Sequence, residues 1–210
     1  MTHYRLWGAA LAAIMLSGCA SSPKPPGYGV TASSTKPVSV SRAMSDAKLA
    51  LPDQSYFHQQ DPRWAEQQMG GSGEPLSSDG CLVTAAAMAL SNLGFSTNPG
   101  DLNARLKAKE GFTPQGWLIW SGVERVTAGK AKARFFKNGT ETDVRACMAD
   151  GYYPLVKFKL PNRRSHWAMV VADSPRGFYV RDPMVNMQTP IPLAARAQGI
   201  SSVRCIGLDA

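Results

Sequence analysis

The feature that most constrains this chain is the apolar run CLVTAAAMALSNL, which extends from Cys81 to Leu93 directly after the turn-forming SSDG. Its length and composition predict a buried helix of about three turns or more, around which a domain core can form. Ser78 or Asp79 is the expected N-cap, and Gly94 is the expected end of the helix. Cys81 then lies in the first helical turn.

A cysteine in the first turn of a helix has two opposite interpretations. The unpaired N–H groups and the positive end of the helix dipole stabilise a thiolate there, which makes Cys81 a candidate nucleophile. Alternatively, Cys81 packs as a small hydrophobic side chain. A nucleophilic thiol needs a base within reach, so the histidines decide which interpretation is worth pursuing.

The sequence contains three histidines, and His3 falls within a segment that resembles an export signal. His58 has no partner that the sequence identifies. His166 opens the stretch SHWAMVVADSPRGFYVRDP, in which two alternating β-rich runs flank the turn DSPRG. This pattern predicts a β-hairpin with His166 near the start of its first strand.

The hairpin also supplies a carboxylate. A turn centred near Pro175 places Asp182 diagonal to His166 on the same face of the hairpin, where it can orient the imidazole. Asp173 points to the other face and is the worse candidate. A one-residue error in the turn would reverse this assignment, and a half-buried strand histidine without a catalytic role is the alternative for His166.

Residues 1–18 have the pattern of an export signal. Arg5 in a short polar start precedes an apolar stretch from Leu6 to Leu16, which is too short to span a bilayer. The closing LSGC resembles the lipobox of bacterial lipoproteins, which implies that Cys19 is lipidated and becomes the first residue of the mature chain. Ala20 rather than Asp follows it, which implies the outer membrane, on its periplasmic side, in a Gram-negative organism. An ordinary secretory signal is the alternative.

Residues 19–50 are rich in Ser, Pro, Lys and Thr and carry too little apolar surface to form a core. We expect a flexible tether whose end-to-end distance is on the order of 30 Å. A single folded domain is then expected over residues 51–210.

In an oxidising compartment, the number of cysteines indicates which of them can remain a free thiol. Of the four cysteines, lipidation would consume Cys19 and leave an odd number. Cys147 lies in a helical pattern and Cys205 in a strand-like one, and the sequence is compatible with a disulfide between them. Cys81 is then the candidate free thiol.

Charge and composition exclude several functions. The formal net charge is +8, but no basic run interleaved with aromatic residues accompanies it, so a solvated basic surface is favoured over nucleic-acid binding. Neither a zinc-ligand spacing nor a phosphate-binding glycine-rich loop is present, and no cofactor or metal is expected. Trp117 and Trp120, at helical spacing, are expected in the core, and Trp64 is expected to pack near Gln60.

Four stretches, QQDPRW, DGCLVTAAAMAL, SHWAMVV and GFYVRDP, together resemble the bacterial cysteine peptidases related to the bacteriocin-processing, double-glycine-leader peptidases (peptidase family thirty-nine), in the papain-like superfamily. The resemblance covers about residues 56–184. It implies that Cys81 is the nucleophile, His166 the general base and acid, and Asp182 the group that orients the histidine. It further implies an oxyanion-hole donor, for which Gln60 is the best match and Gln59 the near alternative.

The sequence also departs from that family. Its bacteriocin-processing members carry Asp-Cys-Gly and are fused to a transporter, whereas Gly80 and Leu82 flank the thiol here. Cleavage of exported double-glycine leaders is therefore not implied.

We expect an α+β papain-like fold, with a helical lobe packed on an antiparallel sheet. The predicted function is hydrolysis of a peptide or isopeptide bond by a membrane-tethered thiol hydrolase that acts on a peptide or protein substrate. Two alternatives stay open. One is a murein peptide amidase resembling the NlpC type, although the Asp-Cys-Ser-Gly usual there is absent. The other is a non-catalytic peptide-binding lipoprotein.

Overall fold

A computed structural model describes residues 44–136, 138–197 and 199–209. The predicted signal peptide, Cys19 and most of the predicted tether lie outside these residues. Strand β1 (Leu49–Ala50) pairs with the strand that contains Ala172 and Asp173, and Met44 packs against the core. Ordered structure therefore begins before the predicted boundary at Leu51.

The domain combines helices with one antiparallel sheet, and the α+β class expected from the sequence is confirmed. The helices are α1 (Leu76–Asp79), α2 (Cys81–Asn92), α3 (Pro99–Ala108), α4 (Trp120–Val126) and α5 (Glu141–Ala149), with a short 3₁₀ helix at Leu193–Ala195. The remaining strands are β2 (Ala131–Phe136), β3 (Tyr153–Lys159), β4 (Ser165–Ser174), β5 (Gly177–Arg181), β6 (Ile191–Pro192) and β7 (Ser202–Leu208).

The strands form one antiparallel sheet in the order β2-β7-β3-β4-β5-β6, with β1 added to β4. Chain neighbours β3, β4 and β5 are adjacent, whereas the C-terminal β7 inserts between β2 and β3. The long buried runs in β3 and β4 follow from this central position, since a strand covered on both faces must be apolar on both.

Helix α2 packs against β4 on one face of the sheet. The small residues Ala85, Ala86, Ala87 and Ala89 are fully buried, so the helix approaches the sheet closely. Helices α3 and α4 complete this lobe, and Leu106 of α3 is fully buried beneath them.

The opposite face of the sheet is covered by helix α5, and a disulfide between Cys147 of α5 and Cys205 of β7 links the two. The bridge that the sequence left open is therefore confirmed, and Cys81 is the free cysteine among the described residues. Phe158 and Val156 on this face of β3 are fully buried. The sheet is thus fixed on both faces, and this fixes β4, which carries His166, and β5, directly after which Asp182 lies.

Candidate active site

Cys81 is the first residue of α2 and is half-buried. The predicted caps are wrong, because Ser78 and Asp79 belong to the separate short helix α1 and Gly80 is the N-cap, without a side-chain cap bond. The Gly80 N–H donates to the Leu76 oxygen at 2.9 Å, and a Cβ at position 80 would lie 2.4 Å from that oxygen. Glycine is therefore required at the break between the helices, directly before the thiol.

The predicted end of α2 is confirmed. The helix stops at Asn92, and Gly94 has a φ of 92°. This left-handed conformation is one that glycine adopts at little cost, so the chain can turn away after the helix.

His166 is the second residue of β4 and only 1% exposed. Its Nε2 lies 2.6 Å from Oδ1 of Asp182, and His166 lines one small cavity together with Cys81. Because Nε2 is engaged by the carboxylate, Nδ1 is the nitrogen left for the thiol. The ring of Phe158 packs edge-on against the imidazole at 5.3 Å and thereby restricts its rotation.

The register of the β4–β5 hairpin explains how Asp182 reaches His166. Near the turn the pairs are Ser174 with Gly177 and Asp173 with Phe178, but beyond an irregularity at Val171 they shift by one residue. Continued without the shift, the first register would turn Asp182 to the other face. A β-bulge therefore brings the pairing into the register that the sequence analysis assumed, and the predicted neighbourhood of His166 and Asp182 is found.

Both carboxylate oxygens of Asp182 accept hydrogen bonds. Its Oδ1 also accepts the Met184 N–H at 2.8 Å, and its Oδ2 accepts the Nε–H of Arg196 at 2.7 Å. Arg196 follows the 3₁₀ helix and was missed by sequence reasoning, because no local pattern relates it to Asp182. Three donors thus fix the carboxylate that faces the imidazole.

Burial and charge act in opposite directions on this pair. Burial by itself would lower the pKa of His166, but the hydrogen bonds and charges of Asp182 and Cys81 outweigh it and raise the pKa to about 9. Burial would raise the pKa of Asp182, but its contact with His166, with support from Met184 and Arg196, holds that pKa below its usual value. The site therefore favours an imidazolium facing a carboxylate.

The two candidate glutamines differ in position. Gln59 is 1% exposed, and its Nε2 donates to the Ser77 oxygen at 2.9 Å, whereas Gln60 is exposed. Gln59, Cys81 and His166 line one small cavity of about 40 Å³, and Gln60 does not. As the candidate oxyanion donor, Gln59 is therefore preferred over Gln60, which reverses the expected order. The sequence could not indicate this, because the direction of a side chain in a loop is not set by strand or helix periodicity.

A larger cavity of about 500 Å³ also begins at Cys81. Trp117, Trp120 and Trp167 contribute to its walls, together with Lys157 and Arg204. Trp117 is 71% exposed and lies before α4, and Trp120 is only half-buried. The expected core position is therefore wrong for Trp117, whereas Trp120 packs against the core as expected and also lines this opening beside the thiol.

The other polar candidates are structural. Asp173 pairs with Arg145 at 2.9 Å and is not the orienting group. The expectation that it points to the other face is wrong, because the bulge places it opposite Phe178, on the same face as Val170 and His166. The indole of Trp64 is buried and donates to the backbone oxygen of His58 at 2.9 Å, so this tryptophan packs as expected.

The described residues contain neither a metal-ligand cluster nor a candidate membrane-spanning helix. Across residues 44–209, leaving aside positions 137 and 198, no three His, Cys, Asp or Glu side chains are grouped closely enough to hold a metal ion. In the same part of the chain, no helix is long and apolar enough to cross a membrane.

Comparison with known proteins identifies the fold. No protein-family model and no curated protein matches this sequence. Among solved structures, the chain is similar to a protein from Bacillus anthracis that is described as a candidate C39-like peptidase, with a TM-score of 0.51 and 13% sequence identity. The similarity covers 78% of this chain and 99% of the other. The protein therefore has the α+β fold of a C39-like peptidase.

Proposed function

We propose that this protein is a cysteine peptidase, which hydrolyses a peptide or isopeptide bond. Cys81 is the nucleophile, His166 the general base and acid, Asp182 the group that orients the imidazole, and Gln59 an oxyanion donor. The observation that carries this proposal is a buried imidazole that contacts a buried carboxylate and lines one small cavity with a helix-terminal thiol, beside a larger cavity.

Each group has a defined part in the reaction. The Cys81 sulfur attacks the carbonyl carbon, and the new C–S bond pushes the carbonyl electrons onto oxygen. As the C–N bond breaks, the His166 imidazolium gives its proton to the leaving amine. A water molecule, deprotonated by the now neutral His166, then attacks the thioester carbonyl. The C–S bond breaks, which releases the acid and returns Cys81 as a thiolate beside the protonated His166.

The negative oxygen formed in these steps needs fixed donors. The first N–H groups of a helix lack intrahelical acceptors, and the Cys81 N–H is one of them. The Gln59 amide lies in the same small cavity as the thiol. One preorganised donor of this kind typically contributes about 3–4 kcal/mol.

The proposal includes a lipid anchor at Cys19, with the domain in the cell envelope. It rests on the export-signal pattern and the LSGC sequence. Mass spectrometry of the mature N-terminal peptide should find Cys19 diacylated or triacylated at the new N terminus. An unmodified peptide that begins elsewhere would contradict the anchor without affecting the catalytic proposal.

Hydrolysis can be tested without a known substrate. The full-length protein is incubated with pooled internally quenched peptides, and cleaved bonds are identified by mass spectrometry. Cys81→Ala should abolish all cleavage that the wild type shows, whereas Gln60→Ala, which changes an exposed neighbour of Gln59, should retain it. Full cleavage by Cys81→Ala would overturn the proposal.

A further inference from the structure

The cavity beside Cys81 carries positive charge that the described chain does not neutralise. Lys157 on β3 and Arg204 on β7 both line its sheet-side wall. Lys157 lies directly opposite Trp167 on one neighbouring strand and Ser202 on the other. Alternate residues of a strand share a face, so Lys157 and Arg204 lie diagonally on the same face of the sheet.

Arg204 lies among aromatic rings. Its guanidinium carbon is 3.4 Å from the ring centroid of Phe135 and 5.9 Å from those of Trp120 and Trp167. The rings position the planar group within the wall. Burial lowers the pKa of Arg204, which reflects an environment that disfavours an unpaired charge.

The hydrogen bonds of Arg204 leave this charge uncompensated. Its Nη1 donates to the backbone oxygens of Phe136 and Val203 and to Ser202 Oγ, at 2.7 to 2.9 Å, and none of these acceptors is charged. The buried Nε has no hydrogen-bond partner among the residues that the structure describes. An unpaired buried donor on a cation is costly unless something else compensates for it.

Within residues 44–209, apart from positions 137 and 198, no carboxylate lies within ion-pair distance of Lys157 or Arg204. Asp79, the acidic residue of the cavity wall, is exposed and faces Arg164 at 4.0 Å. The wall next to the nucleophile therefore attracts anions.

We propose that this cavity selects acidic peptides, in which a carboxylate side chain near the cleaved bond is held by Lys157 and Arg204. The aromatic walls contact the aliphatic part of the same segment. The inference rests on the proposed thiol hydrolysis, since it assigns the substrate class of that same site. Lys157 is a specificity-determining residue in this account.

The charge of the cavity can be measured by alkylating Cys81 in the full-length protein. Iodoacetate and iodoacetamide transfer nearly the same group to sulfur, but only iodoacetate is an anion. The ratio of their rates at Cys81, followed by peptide mass spectrometry, reports the local potential. His166 is present in all the wall variants and contributes equally to their rate ratios. Changes in the ratio therefore report only the charge of the cavity wall.

Lys157→Gln should lower the iodoacetate-to-iodoacetamide ratio by about threefold to tenfold and Lys157→Glu by more, because the anionic reagent is affected more strongly than the neutral one. The wild-type ratio should also fall in 0.5 M KCl, where the Debye length is about 4 Å. Lys132→Gln is the matched control, because Lys132 is on β2 but on the sheet face opposite Phe135 and Arg204.

A ratio that Lys157→Gln leaves unchanged, or that Lys132→Gln lowers equally, would overturn the inference. The same data separate it from the proposed function. An iodoacetamide rate that does not depend on His166 would count against the thiol hydrolase, whereas an unchanged ratio with a His166-dependent rate would count only against the acidic substrate.

Peptides provide a second measurement. Short acetylated peptides with Glu should protect Cys81 from iodoacetamide at lower concentration than the same peptides with Gln, and Lys157→Gln should remove most of the difference. Equal protection by the Glu and Gln peptides would overturn the proposed selectivity.

Discussion

The two sides of Cys81 are built differently. On the paired side, His166, Asp182 and Arg196 form a chain in which both oxygens of the carboxylate accept hydrogen bonds. On the open side, the cavity wall holds Lys157 and Arg204 without carboxylate partners among the described residues, and Trp117 is exposed.

This difference separates two tasks. The groups that would move protons are preorganised before any substrate arrives, so little reorganisation is needed during reaction. The charged groups that would bind substrate lack partners of opposite charge among the described residues, so a ligand can supply them. Changes on the paired side should therefore affect rate for every substrate, and changes on the open side should affect substrate choice.

The largest effect is expected from removing charge on the paired side. Asp182→Asn keeps the side-chain shape but loses the carboxylate that stabilises the imidazolium, and it leaves Arg196 without its partner. We expect kcat to fall by about 10²- to 10⁴-fold. Steady-state kinetics on any cleaved peptide measures this, and a fall of less than threefold would show that Asp182 does not support His166.

The next effect distinguishes the two glutamines. Gln59→Ala should lower kcat by about 10²-fold, with a smaller change in KM, because an oxyanion donor acts mainly in the transition state. Gln60→Ala is the matched control and should be neutral. Equal effects of the two substitutions would contradict the assignment of Gln59.

The paired side should also make stability depend on pH. The folded-state pKa of His166 is raised to about 9, so its stabilising contribution is complete below about pH 6.5 and is lost as the pH rises to about 9. We expect the free energy of unfolding to fall by on the order of 2 kcal/mol across that window. Urea unfolding at both ends measures this fall, and His166→Ala should not show it. An identical pH dependence in the variant would exclude His166 as the cause.

The smallest effect is expected at Arg196, which acts through Asp182. Arg196→Met should lower kcat by about threefold to tenfold, and the alkaline limb of the rate profile should move above pH 9, because a positive charge near the imidazolium is removed. Arg196→Lys should restore part of the rate. Arg63→Met removes a similar but exposed ion pair, to Asp61, and should change nothing. A limb that moves to lower pH would contradict the positioning role.

The sequence could predict the parts of this site that lie on helices and strands, where the spacing of hydrophobic residues indicates the structure. The helix from Cys81 and the hairpin from His166 come from hydrophobic patterning, and strand alternation then places Asp182 beside His166. That placement depends on a bulge at Val171, which no residue pattern in the sequence indicates.

The remainder depends on long-range contacts and loop conformation. Gln59 lies in a loop, where one residue of error reverses the direction of a side chain, and Arg196 meets Asp182 only through the tertiary fold. Trp117 has helical spacing from Trp120 but precedes the helix, so periodicity gave it a core position that it does not have. The N-cap prediction failed because Gly80 divides α1 from α2.

The most direct test of the central claim is the pH dependence of iodoacetamide alkylation at Cys81 in the full-length protein, compared with His166→Ala. Cys147 and Cys205 are bonded to each other, and peptide mass spectrometry distinguishes Cys81 from Cys19. We expect alkylation that is already fast at about pH 6 and at least tenfold slower in the variant at that pH. Alkylation that appears only at alkaline pH and is unchanged by His166→Ala would contradict this expectation.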